Sequence, residues 1–186
     1  MRNKVIVVLW LIFCVGFGQQ AGAQTRSIYT VLQAGGIIGL QSDLEKAVSG
    51  YQLQFIVGQN YNDRTFVGFG IANEVYRGGT VEEAGIKRSH RMNTLPLTID
   101  FRQAVAQVTA FGQLGLVGGL GYAMPLGGEY YHGLSAKAGL TYAQMLIDRS
   151  HLKFTLAYGY QQFDSNIIRD SFGQHQLHLT VGLFSF

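Results

Sequence analysis

Apolar and polar residues alternate with period two along most of this chain. That is the spacing of a strand with one greasy face, and helical spacing is scarce. In "GYQLQFIVG" Tyr51, Leu53, Phe55 and Val57 share a face opposite Gln52 and Gln54. In "NTLPLTIDFR" Leu95, Leu97, Ile99 and Phe101 oppose Thr98, Asp100 and Arg102. "HGLSAKAGLTYA" sets Leu134, Ala136, Ala138, Leu140 and Tyr142 against Ser135, Lys137 and Thr141. "HLKFTLAYGYQ" sets Leu152, Phe154, Leu156, Tyr158 and Tyr160 against Lys153, Thr155 and Gln161. The terminal stretch gives Leu177, Leu179, Val181 and Leu183 against Gln176, His178 and Thr180. With further segments at 28–40, 65–76 and 108–122, the pattern predicts about eight strands, each close to the length of a tilted bilayer-crossing strand. The apolar faces of the five clean cases carry no charge, as a lipid-facing surface requires.

Gap length alternates as well. The gaps 41–49, 77–89, 123–130 and 162–174 are long, whereas "QNYNDR", "QAVAQ" and "MLIDRS" are short. A membrane barrel with both termini in the periplasm has short turns at that end and longer loops outside. The loops around Thr80–Lys87 and Asp164–Gln174 are therefore expected to face outward. Residues 104–126 carry no charge and hold Gly115 and Gly119 in a GxxxG spacing, a pattern shared with packed membrane helices. Their glycines, glutamines and Pro125 favour a strand over Val108–Tyr122 instead.

The first residues follow another rule. Arg2 and Lys4 precede an apolar run from Val5 to Phe17, which leads to Ala21-Gly22-Ala23. This is the layout of a secretory signal peptide, with cleavage expected after Ala23. As a helix the run would reach only about 20 Å, short of a ~30 Å hydrocarbon core. The expected division is thus a signal peptide over 1–23 and one β-barrel domain over 24–186. Cleavage would remove Cys14, the only cysteine, and with it disulfides, cysteine catalysis and cysteine zinc sites. It would also remove Trp10, leaving Tyr51, Tyr142, Tyr158, Tyr160 and Phe101 as candidates for aromatic belts. Loss of Arg2 and Lys4 lowers the formal charge from +3 to +1, and no basic cluster remains to suggest nucleic acid.

Alternation alone does not separate a membrane barrel from a secreted, ligand-carrying soluble barrel, which turns its apolar face inward. Small residues on the polar faces weigh toward the membrane: Gly68, Gly70 and Ala72 on the third strand, Gly115, Gly119 and Gly121 on the fifth. Facing inward, they leave room for Gln54, Glu74, Asp100, Lys137 and Lys153 to meet across the lumen, with cations for both carboxylates. His178 is expected to join this network. In lipid the sheet must close, last strand on first, so the terminal strand must be complete. Phe184 and Phe186 fall out of phase with Leu177 to Leu183, which predicts a bulge near Gly182.

The signal peptide, the amphipathic strands and a last strand closing on Phe186 resemble the small outer-membrane β-barrel proteins of Gram-negative bacteria. "LPLTIDFR" followed by "AFGQLGLVGGLGYA" is similar to the porin-like barrels of the Bacteroidota. The resemblance implies an all-β, closed antiparallel up-and-down barrel in the outer membrane. It also implies that Phe186 belongs to the C-terminal signal read by the barrel assembly machinery. Outer-membrane lipid would be the other partner, and the expected state is a monomer.

Chemistry is sparse. Ser89-His90 and Ser150-His151 are adjacent pairs, which extended backbone points to opposite faces. Only Ser89-His90, beside "VEEAG", lies at the outer end where a lipid A-directed hydrolase would work. His175 and His178 also fall on opposite faces, a poor metal geometry. Glu74 and Asp100 could form a general-acid pair, but in a narrow lumen with two lysines structural ion pairs are the expectation. No cofactor or metal is expected. The reading is a non-enzymatic envelope protein, structural or acting through its loops, with a small pore, a lipid-directed hydrolase and a soluble carrier barrel as alternatives.

Overall fold

The computed structural model describes residues 26–42, 47–83, 86–126, 131–147, 150–165 and 170–185. The expected signal segment and Phe186 lie outside them. The eight strands run in chain order: β1 (Arg26–Ser42), β2 (Ser49–Tyr61), β3 (Thr65–Glu83), β4 (Ile86–Thr109), β5 (Gly112–Pro125), β6 (Tyr131–Ile147), β7 (Ser150–Ser165) and β8 (Asp170–Ser185). Each pairs antiparallel with the next, and β8 returns to β1, closing the barrel. No sheet edge is left open.

The pleat sorts the side chains. Leu53, Phe69, Leu97, Leu120, Phe154 and Leu179 point out and are exposed, Phe69 at 72% and Leu120 at 68%. Gln52, Gln54, Asp100, Arg102, Lys153 and His178 point in and are buried. Greasy residues therefore cover the outside and polar ones fill the centre, the inverse of a soluble barrel. Of the residues expected in belts, Tyr51, Tyr158, Tyr160 and Phe101 are exposed on this outer face, and Tyr142 is half-buried.

The short-turn rim carries the starts of β1 and β3, the ends of β2 and β8, and the turns Asn62–Arg64 and Ala110–Phe111. Asn62 and Asp63 both adopt positive φ, 54° and 56°, and the Arg64 N–H donates to the Tyr61 carbonyl at 3.3 Å, a tight turn within the three-residue connection. At the other rim two of the four expected long loops, 77–89 and 162–174, are largely strand. β3 and β4 stay paired as far as Glu83↔Ile86, and β7 and β8 as far as Ser165↔Asp170. In 162–174 Phe163, Phe172 and Gln174 are buried, so apolar side chains turn inward there, the reverse of the wall, and the apolar-out alternation is lost. That is why 162–174 reads as a loop.

Two other expectations are corrected. The fifth strand begins at Gly112, not Val108; Ala104–Thr109 completes β4, with register shifts at Ala104/Ala106 and Gln107/Thr109 that erase the alternation. There is also no bulge near Gly182, for β8 pairs continuously with β1 and β7 through Phe184. Phe184 is out of phase with Leu183 because it faces the lumen.

Candidate functional site

The lumen is built in three layers. At the short-turn end Tyr29, Val31, Ile56, Phe66 and Phe184 form one buried cluster. Tyr29 stacks on Phe184 at 5.2 Å between ring centroids, and Phe66 meets Phe184 edge-on at 4.9 Å. These are favourable aromatic geometries. At the other end Ile37, Val48, Tyr76, Met92, Tyr131, Phe163 and Phe172 form a second cluster, with Phe163 stacked on Phe172 at 4.9 Å. Val48, in the segment before β2, is drawn into this layer by Gln174. The Gln174 amide donates to the Val48 carbonyl at 2.7 Å and accepts from its N–H at 2.9 Å.

Between the two aromatic layers lies the polar one. Gln33 Nε2 donates to Gln54 Oε1 at 2.8 Å, and Lys137 Nζ donates to the same oxygen at 2.7 Å. Gln54 Nε2 in turn donates to Thr98 Oγ1 at 3.1 Å. Arg102 Nε donates to Asp100 Oδ1 at 2.6 Å, while its Nη2 donates to Gln33 Oε1 at 3.0 Å. Gln54 and Gln33 thereby couple the Lys137 ammonium to the Arg102–Asp100 pair. His178 Nδ1 contacts Gln52 Oε1 at 3.2 Å.

Small residues make the room. A Cβ on Gly70 would stand 2.7 Å from both Gln54 Nε2 and Thr98 Oγ1, and one on Gly68 would stand 2.5 Å from the Tyr29 hydroxyl. Only glycine admits these groups at that spacing.

The six lumen residues singled out in the sequence all face inward, but their partners differ from a lysine–carboxylate network. Asp100 is neutralised by Arg102, two residues along its own strand. Glu74 accepts a hydrogen bond from the Tyr76 hydroxyl at 2.8 Å. Lys153 lies apart, its ammonium 3.4 Å from the Phe184 ring centroid and 4.9 Å from that of Phe66, a cation–π arrangement. Arg102, on the polar face of "LPLTIDFR", had the right phase to be chosen as the cation. The signal was present and the lysines distracted from it. The upper aromatic layer is hidden because Tyr76, Phe163 and Phe172 lie in or beside stretches that read as loops, and the lower one because Tyr29, Phe66 and Phe184 sit at inward positions of strands whose greasy residues are expected outward.

The carboxylate pair, the two-histidine pair and Ser150-His151 do not assemble into a site. Glu74 pairs with Thr94 and Asp100 with Gly68, so the carboxylates sit six registers apart, about 20 Å along the sheet. His175 points outward, its Nδ1 2.6 Å from the Tyr158 hydroxyl, while His178 points inward. Ser150 and His151 are consecutive on β7 and alternate in face. The side chains of Ser89 and His90 lie outside the described residues. No cluster of three metal-ligating residues occurs among the described residues. A cavity of about 310 Å³ at the short-turn mouth, lined by Asp63, Phe66, Phe111, His151, Lys153 and Phe184, ends against the lower aromatic layer.

No protein-family model matches the chain, and no curated protein matches it in sequence. Among solved structures it is similar to the crystal structure of Neisserial surface protein A (NspA). That match has a TM-score of 0.56 at 13% identity and covers 86% of this chain and 97% of the other. The likeness is one of fold, a closed eight-stranded antiparallel barrel.

Proposed function

We propose that this chain is an integral outer-membrane protein: a sealed, non-enzymatic barrel that holds paired hairpins above the bilayer and acts structurally or through them. One observation carries the reading. On the outward faces, between Gln59 and Gln103 near one rim and Arg77 and Arg91 near the other, the described residues hold no Asp, Glu, Lys or Arg. Every charged side chain at intermediate height is inside. In water such a surface would be an aggregation site far larger than soluble monomers tolerate. In lipid it is the required one. Closure of β8 on β1 supports the same reading, because an open edge in hydrocarbon would leave backbone groups unbonded.

A porin-like pore needs a continuous wet path, and the two aromatic layers oppose it. Periplasmic placement of the short-turn rim rests on the usual loop asymmetry of such barrels. Membership of the Bacteroidota-type porin-like barrels rests on the "LPLTIDFR" and "AFGQLGLVGGLGYA" strands. Recognition by the assembly machinery through Phe186, and a monomeric state, belong to the same proposal.

Membrane fractionation with gel mobility before and after heating tests the location. The protein should sediment with the envelope and migrate faster unheated. Recovery in the soluble fraction would overturn the reading. Planar-bilayer recording tests the sealed lumen, and a stable open channel would refute it.

A further inference from the structure

Arg77 and Arg91 are Cα partners on β3 and β4, and both are exposed on the outer face. Like charges directly opposite one another on a sheet repel, more strongly where lipid lowers the dielectric. Among the residues whose side chains are described neither arginine has an ion pair, and the only salt bridge is the internal Arg102–Asp100. Directly beyond them the register shifts between Arg77 and Thr80, and Gly78 takes a φ of 127°. The arginines thus mark the level where the barrel wall ends and the projecting ribbon begins.

Their height can be worked out. Arg77 is twelve residues along β3 from Thr65. At ~3.3 Å per residue and a tilt of ~40° this is about 30 Å along the barrel axis, one hydrocarbon thickness. The neighbouring outward residues suit an interface. The Arg77 guanidinium lies 5.9 Å from the ring centroid of Tyr51, and Tyr122 meets His132 at 2.7 Å near the same rim. At that distance the ring attracts the guanidinium charge without taking a hydrogen bond from it, so its N–H donors remain for an anion.

We infer that Arg77 and Arg91 form a site for the phosphate of an acidic lipid in the leaflet at the long-hairpin rim. Two guanidinium forks on adjacent strands match the geometry of phosphate oxygens, and the anion removes the repulsion that the pairing creates. The occupant is a lipid and not a free phosphate because the exposed apolar wall further along the same strands and neighbouring β2, Ile71, Leu97 and Leu53, gives its acyl chains a surface to lie on. This inference rests on the membrane reading proposed above.

The test is native mass spectrometry of the detergent-purified, heat-modifiable protein with diphosphoryl lipid A, with its dephosphorylated form and with phosphatidylcholine. The wild type should retain diphosphoryl lipid A preferentially. R77Q/R91Q, two exposed substitutions, should lose about ten-fold or more of that retention, and R77K/R91K should keep only part of it, because the charge remains without the fork. Equal retention by the wild type and R77Q/R91Q would overturn the site, as would equal retention of the dephosphorylated lipid. Competition by millimolar inorganic phosphate as effective as that by added lipid would overturn the lipid assignment. A wild type that never becomes heat-modifiable in detergent would instead strike the membrane reading, so the two failures are distinct.

Discussion

Gly118 offers a clean probe of what the outer wall touches. It faces outward on β5 between Leu116 and Leu120, and a Cβ built there meets nothing within 4 Å. It lies six residues from Gly112, about 15 Å along the axis at ~3.3 Å per residue and ~40° tilt, which is the middle of a ~30 Å core. Substitution therefore changes the solvent contact without a steric cost. Gly118→Leu should stabilise by about 2–4 kcal/mol, from ~1.5–3 for side-chain transfer and ~0.5–1 for replacing a strand glycine. Gly118→Arg gains the same backbone increment but meets a cost of ~2–4 kcal/mol for a cation at mid-bilayer. The two variants should thus differ by at least about 3 kcal/mol. Denaturant unfolding from lipid vesicles, followed by far-UV circular dichroism and unheated gel mobility, measures the difference. If the wall faces water, both are ordinary surface changes, and stabilities within ~0.5 kcal/mol of each other would refute the inside-out assignment.

The remaining predictions concern the lumen. Arg102→Met leaves the Asp100 carboxylate buried without its cation and should cost about 3–5 kcal/mol, whereas Asp100→Asn/Arg102→Met should recover most of that loss in the same unfolding assay. Gly70→Val drives a side chain into Gln54 and Thr98 and should cost about 1–3 kcal/mol, while the outward Gly118→Val should not. Phe163→Ala should cost about 3–5 kcal/mol yet leave bilayer recordings silent, since the lower aromatic layer still closes the lumen. Only the pair Phe163→Ala/Phe184→Ala should begin to conduct, and conductance from either single variant would show that the layers do not act independently.

The wall of this barrel was legible because each strand there has one apolar outward face and one face in a packed lumen, which forces a period of two. Tyr51 to Val57 and Leu177 to Leu183 record that constraint directly. Legibility ended where the constraint ends. In 162–174 Phe163 and Phe172 turn inward into the upper layer, the reverse of the wall, and Ala104–Thr109 is broken by register shifts. The site was half readable. Periodicity says which residues point inward but not at what height, because the stagger between strands is not written in any one of them. Glu74 and Asp100 thus looked like neighbours although the sheet sets them far apart. Phe184 shows the opposite error: its phase was correct for a lumen residue, and a bulge was invoked only because aromatic residues were expected to face lipid.

The polar layer draws on side chains from strands distant in sequence: Gln33 from β1, Gln54 from β2, Arg102 from β4 and Lys137 from β6, with His178 of β8 reaching Gln52 of β2. An unrolled sheet with every hairpin formed would keep the Gln33–Gln54 bond but leave Lys137, Arg102 Nη2 and His178 without these partners. Partly curled intermediates are therefore penalised, and the last seam joins in the same step that satisfies the centre. Insertion should consequently be all-or-none, with no stable half-cylinder for proteases to find.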